Sequence, residues 1–314
     1  MILVRLLVAA ALTWIALRHS DPRAIGAAIA NLDLRLLGAA VLLVLVDRAL
    51  MAYRWLVLLR AIPSGTRPPF LMVLRLFFVS TFVGTFLPAS IGVDAVRAYG
   101  LKQLQVPGTA AVASVLMDRL LGVLSILIMA IVGLLMLDRG VGERFENPVI
   151  AVPLVIAAVV SAIAVAVVFS ARVAALASRA IAVVPAARPR DIARRLLDAI
   201  TVYGTHHRDL ANVLGGSIGV QILRIVQAYL LGRALGITVG APMYFALIPI
   251  ILLVMLLPIT INGIGTSQAA FVWFFEPAGV AAPQAFTLSI LFVALWIVGN
   301  LPGGVLYATG GVSR

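Results

Sequence analysis

Apolar and polar positions divide the chain into long apolar runs joined by short polar segments. Runs at residues 36–59, 109–137, 149–169, 210–235 and 286–309 are each long enough to cross a hydrocarbon core as a helix, which takes about 20 residues. An N-terminal run, 6–17, follows Arg5 and has the outline of a signal-peptide core. No small-x-small cleavage pattern precedes Arg18-His19-Ser20-Asp21-Pro22, so it reads as a short first span.

Two runs depart from this plan. In residues 70–99 an apolar segment carrying Arg75 passes directly into Leu87-Pro88, then Gly92-Val93-Asp94, then Arg97, with no polar loop. Residues 243–275 repeat the construction, with Leu257-Pro258 followed by Asn262-Gly263-Ile264-Gly265 and Gln268. Proline removes an amide and glycine permits a sharp turn, so each run predicts a broken helix whose second half has an exposed, anion-attracting N-terminus. Unpaired backbone groups persist at membrane depth only when buried in protein or facing water. One such break reads as a kinked spanning helix. Two, each followed by a short helix, predict a pair of re-entrant hairpins framing one site.

The fold expected is an all-α polytopic helix bundle. It forms a single integral membrane domain over 1–314, with about six full spans plus two oppositely inserted re-entrant helical hairpins in an inverted-repeat-like arrangement. Within it, 171–209 is a basic cytoplasmic connector, with Arg172, Arg179, Arg188, Arg190, Arg194, Arg195 and Arg208 against Asp191, Asp198 and Asp209. Helical spacing places Ile192, Leu196, Ala199 and Val202 or Tyr203 on one face. That face suits an anionic membrane surface, and a simply solvated connector is the plainer alternative. The positive-inside rule puts the connector and both termini in the cytoplasm, with the first hairpin opening inward and the second outward. A rival topology, in which both broken runs cross fully, places Arg60 and Arg67 outside, which the charge rule disfavours.

Composition confirms the class: 63% of residues are hydrophobic and 11% charged, which excludes a soluble domain. Cysteine is absent, which excludes disulfides and thiolate chemistry, and His206-His207 in the basic connector does not read as a metal site. The net charge of +12 is nearly all arginine, Lys102 being the one lysine among 24 basic residues. Genomic base composition accounts for such a bias, and so does a preference for bidentate phosphate binding. Charges at membrane depth are more informative, because each costs at least about 2.5 kcal/mol at a helix centre. They are Asp47, Arg48, Arg54, Arg75, Asp94, Arg97, Asp118, Arg119 and Arg224. Trp14, Trp55, Trp273 and Trp296 read as interface anchors, and Gly215 with Gly219 and Gly299 with Gly303 have close-packing spacing.

Several of these segments carry a family resemblance. Residues 87–97, LPASIGVDAVR, resemble the Pro, Gly-Gly-Asp and Arg signature of the lysylphosphatidylglycerol synthase/flippase membrane domain family. Asp118-Arg119-Leu120-Leu121-Gly122, the Arg54-Trp55 pair, residues 258–265 and Leu301-Pro302-Gly303-Gly304 are similar to further motifs of that family, so the likeness spans the chain. Val93 replaces the usual second glycine, and Thr266-Ser267-Gln268 stands where many members have an Arg-Glu pair. A neutral Gln268 supplies no charge partner for a lysylated headgroup. Larger relatives carry a soluble aminoacyl-transferase domain, and the longest polar segment here, about 39 residues, is too short to form one.

The resemblance implies a flippase of the bacterial cytoplasmic (inner) membrane, moving an anionic phospholipid, a polyprenyl-linked lipid or another bacterial-type lipid between leaflets. The expected substrate-binding residues are Arg48, Arg54, Arg75, Pro88, Gly92, Asp94, Arg97, Arg119, Arg224, Asn262, Gly263, Gly265 and Gln268. Asp47, Asp94 and Asp118 are the expected charge partners or proton-coupling groups. No cofactor, metal or nucleic acid is expected, and the partners are membrane lipids with an anionic headgroup and a second copy of the chain. No Gly-x4-Gly-Lys-Ser/Thr occurs, so transport is passive or ion-coupled. The rival classes are an integral-membrane enzyme acting on a lipid-linked substrate, which needs a carboxylate or histidine cluster at one face, and a non-catalytic scaffold. The dispersed acids weigh against the first and the intramembrane charges against the second.

Overall fold

The computed structural model describes residues 13–14, 22–61, 68–86, 91–103, 106–136, 148–183, 187–256, 263 and 265–309. Most of the first predicted span, the joint at 138–147, and Pro88, Pro258 and Asn262 lie outside the described residues. Among the described residues every regular element is helical: α1 Pro22–Ala30, α2 Leu34–Ala61, α3 Phe70–Thr85, α4 Ile91–Gln103, α5 Gly108–Leu135, α6 Pro148–Phe169, α7 Ala171–Ala182, α8 Ala187–Thr201, α9 His207–Ala234, α10 Ala241–Leu256, α11 Thr266–Phe275 and α12 Ala282–Ala308.

Four helices, α2, α5, α9 and α12, are long and apolar enough to cross a membrane, and they coincide with four of the predicted runs. The run predicted at 149–169 is α6, which meets α7 at 105° across Ser170. The Ser170 hydroxyl accepts the Val173 amide as an N-cap, so α7 starts in a new direction instead of extending α6.

The most extensive packing joins α2 to α9. Asp47 lies against Arg224, Leu50 against Gly219 and Arg54 against Gly216, so the two helices run antiparallel. Apolar side chains gain little from leaving lipid, so close backbone approach at small residues drives such contacts. The close approach falls at Gly216, where an added Cβ would lie 2.9 Å from Arg54 Cγ, and not at Gly215, which has nothing within 4 Å.

Both broken runs fold back on themselves. Gly84 meets Val93 near the tip of the first and Leu76 meets Gly100 further along, so α4 runs back beside α3. In the second, Met255 meets Gly263 at the tip and the Tyr244 and Phe275 rings meet at a tilt with centroids 5.2 Å apart at the base, so α11 runs back beside α10. The docking of these hairpins is exchanged between the halves. Arm α3 packs on α12 and α10 on α5, while α4 packs on α5 and α11 on α12. The same device seats each first arm: the Phe78 carbonyl presses on Gly303 and the Phe245 carbonyl on Gly133, with no room for a Cβ at either glycine. The largest apolar core lies in the second half, where α9, α10, α11 and α12 meet α5.

Two of the four tryptophan expectations are corrected. Trp55 is fully buried and Trp296 half-buried, both at bundle depth, so only Trp14 and Trp273, more than half exposed, have the exposure of interface anchors. Ile192 is exposed, whereas Ala199, Ile200 and Tyr203 pack into the bundle. The helical period stops at Thr201, and a tighter turn over Val202–Thr205 swings Tyr203 inward, where its hydroxyl donates to the Leu58 carbonyl at 3.1 Å.

Candidate functional site

Three helices bring one carboxylate and two guanidinium groups together at depth. Arg54, from α2, donates through Nη2 to Asp118 Oδ1 at 2.8 Å and to the Asp118 carbonyl at 3.2 Å. Arg97, from α4, places Nη1 3.5 Å from the other carboxylate oxygen. All three residues are at most 5% exposed. The Arg97 guanidinium lies over the Phe77 ring at 4.3 Å and the Trp55 ring at 5.3 Å, which replaces some lost hydration by cation–π attraction. Trp55 is held in turn by its indole N–H, which donates to Ser114 Oγ at 3.2 Å. Two cations share one anion, and Nε of both arginines has no hydrogen-bond partner.

Beside this triad, Arg119 grips Asp94 with two hydrogen bonds of 3.1 and 3.2 Å, from side chains 39% and 26% exposed. Neither acid therefore pairs with the arginine nearest it in sequence: Asp118 not with Arg119, and Asp94 not with Arg97. Consecutive helical residues point about 100° apart, so Asp118 and Arg119 face different helices. Asp94 stands in the first turn of α4, as does Gly92, where the helix dipole favours a carboxylate.

A second triad lies about 9 Å along α2, six or seven residues toward its N-terminus. Asp47 approaches Arg48 Nη1 at 3.5 Å and Arg224 Nε at 3.4 Å, the latter an ion pair without hydrogen-bond alignment. Arg224 lies over the Trp296 ring at 5.2 Å and touches the Met51 sulfur, while Arg48 reaches the Trp296 carbonyl at 3.4 Å. Gly299 makes the space, since a Cβ there would sit 3.4 Å from Arg48 Nε. Each triad carries one formal positive charge in excess. A buried ion pair is weak evidence of stabilisation, and charges at membrane depth mark function by default. The chemical complement of such a site is an anion with several oxygens, which arginine forks bind bidentately.

The second hairpin is built differently. Gly263 and Gly265 have φ of +74° and +85°, a region only glycine occupies without strain. Gln268 Oε1 accepts the Gly265 amide at 2.6 Å and the Ser267 hydroxyl at 3.0 Å. Its oxygen is thus committed to holding the turn that starts α11, which leaves its amide nitrogen for anything else. Arg75 is half-buried on α3.

Trp55, Phe77, Ser114, Met51 and Trp296 join the expected residues, and only their depth within apolar runs could have marked them. Gln221 donates to Ser125 at 3.2 Å, and Gln227 is fully buried with neither amide atom hydrogen-bonded. Among the described residues no group of three histidine or carboxylate side chains could hold a metal ion.

No curated protein and no solved structure matches the chain. The family model described as the lysylphosphatidylglycerol synthase TM region matches residues 2–303. An all-helical membrane chain with paired arginines at depth, matched over nearly its whole length, belongs to the lysylphosphatidylglycerol synthase TM region family, and its function concerns membrane lipids.

Proposed function

We propose that the protein is a flippase that carries an anionic lipid, a phospholipid or a polyprenyl-linked one, between the leaflets of the bacterial cytoplasmic membrane. The observation that carries this reading is the pair of buried triads, each with two arginines on one carboxylate. A headgroup crossing a bilayer needs a polar route while its tails stay in hydrocarbon, and two cationic stations on one helix supply steps along it. Asp94 and Arg119, the more open pair, receive the phosphate first. Arg97 and Arg54 bind it next, and Asp118 competes for them and keeps the complex from becoming a trap. Asp47 has the same role between Arg48 and Arg224.

The back-folded pairs α3/α4 and α10/α11 are read as re-entrant hairpins among about six spans, related as an inverted repeat. The antiparallel α2/α9 contact and the exchanged docking of the hairpins support this reading. An enzyme acting on a lipid-linked substrate is less favoured, because Asp47, Asp94 and Asp118 are all engaged by arginine and none of the three is free to act as a general acid or base.

The test is leaflet exchange of a fluorescent phosphatidylglycerol in liposomes containing the purified protein. Exchange faster than in empty liposomes is expected, lost in Arg97→Gln and kept in Arg188→Gln. Exchange no faster than the empty control, or unchanged in Arg97→Gln, overturns the proposal.

A further inference from the structure

On the other side of α5 from Arg119 lies a separate feature, a cleft of about 230 Å3 between α5, α6 and α9. Its walls include Leu121, Leu124, Val168, Phe169, His207 and Ala211, so it is apolar except at one end. At 100° per residue, Leu121 and Leu124 lie roughly 140–160° round α5 from Arg119, which keeps the cleft apart from the Asp94–Arg119 pair.

The polar end is His207, and two arginines flank it in the sequence. The Phe169 and His207 rings stack 5.6 Å apart with 14° between their planes, fixing the imidazole where α6 ends and α9 begins. The 105° turn at Ser170 sets exposed Arg172 in the first turn of α7, one turn beyond Phe169. Exposed Arg208 follows His207, and half-buried Asp209 is the acid in that turn. Gly204, whose missing Cβ admits the Val168 carbonyl, fastens the returning connector to the same helix end.

We infer that this cleft is a binding site for one resident anionic lipid, distinct from the transported one. An acyl chain occupies the apolar cleft, and its phosphate meets Arg172, Arg208 and the His207 imidazole at the rim. Charge complementarity selects the occupant: a neutral hydrocarbon would fill the cleft but leave the cationic rim unmatched, and a free phosphate would match the rim but leave the cleft empty.

Native mass spectrometry of the full-length protein, released from neutral detergent after incubation with dioleoyl phosphatidylglycerol or dioleoyl phosphatidylcholine, tests the site. One phosphatidylglycerol per chain is expected to be retained over phosphatidylcholine by on the order of tenfold. Glycerol 3-phosphate should not displace it. Ala211→Trp, which fills the cleft from an exposed position, and the double variant Arg172→Gln/Arg208→Gln should each remove the preference, whereas Arg97→Gln should not. Thermal unfolding of the variants shows that they fold, and Leu214→Trp blocks the cleft from a second position should Ala211→Trp fail to do so. Equal retention of the two lipids, displacement by glycerol 3-phosphate, or a preference that survives both the tryptophan variants and the double variant overturns the assignment. Because Arg97→Gln is expected to abolish transport and spare this lipid, failure of one proposal is distinguishable from failure of the other.

Discussion

Arg54 Nη2 stands 2.8 Å from Asp118 Oδ1, joining α2 to α5 at a point where neither side chain meets solvent. Asp118 is the only carboxylate in its triad, so removing its charge is expected to cost more than removing either arginine. Asp118→Asn leaves two buried guanidinium groups without a counter-ion and should lose about 3–5 kcal/mol. Arg54→Leu leaves a neutral Arg97–Asp118 pair and should cost less. Thermal unfolding in detergent checks the order, and a reversed ranking contradicts the assignment of Asp118 as the shared anion.

The Phe78 carbonyl against Gly303 and the Phe245 carbonyl against Gly133 leave no space for a side chain. Gly303→Leu and Gly133→Leu should each destabilise the protein by about 1–3 kcal/mol or more through overpacking. Gly215→Leu, at an open position, should leave it unchanged. Size-exclusion profiles and melting temperatures measured side by side distinguish the two outcomes.

Gln268 caps the turn before α11, and Gly265 holds a positive φ there. Gln268→Ala should cost about 1 kcal/mol, as lost caps do, and speed hydrogen exchange at the Gly265 amide. Gln268→Glu keeps an acceptor for that amide and should preserve its protection. Equal protection in the alanine variant would mean that the cap is not what holds the turn.

Tyr203 gives a pH dependence. Burial, reinforced by the nearby Asp118 charge, pushes its phenol well above the ordinary tyrosine value. The unfolded chain releases this proton near pH 10 while the folded chain keeps it, so the folded state binds more protons above that pH and stability must fall as pH rises. Denaturation followed from pH 8 to pH 11 should show this decline above about pH 10, and Tyr203→Phe should flatten it.

Much of this arrangement is legible in the chain itself. Length and apolarity mark α2, α5, α9 and α12, and the breaks read within 70–99 and 243–275 mark the two places where helices fold back. The ion-pair partners are not legible. Arg97 is three residues from Asp94 and shares a helix face with it, yet it pairs with Asp118, because pairing depends on which faces of α2, α4 and α5 converge. Trp55 and Trp296 were hidden for the same reason, since a tryptophan in an apolar run reads alike whether it lies under headgroups or under an arginine. Gln268 reads as a substrate-binding group in the sequence because its partner, the Gly265 amide, is a backbone atom that no side-chain pattern records.

The exchanged docking of the hairpins also sets an order of biogenesis. Asn300 of α12 donates to Thr85 of α3 across 215 residues of sequence, next to the Gly303 contact with Phe78. A chain emerging N-terminus first completes α3 long before α12 exists, so this arm must wait for its α12 seat while α4 already has α5 to dock on. The final helix then closes both hairpins at once, since it packs on α3 and on α11. A nascent chain stopped before α12 therefore holds two hairpins each docked on α5 through one arm and lacking its α12 contact, and is a natural target for membrane quality-control proteases.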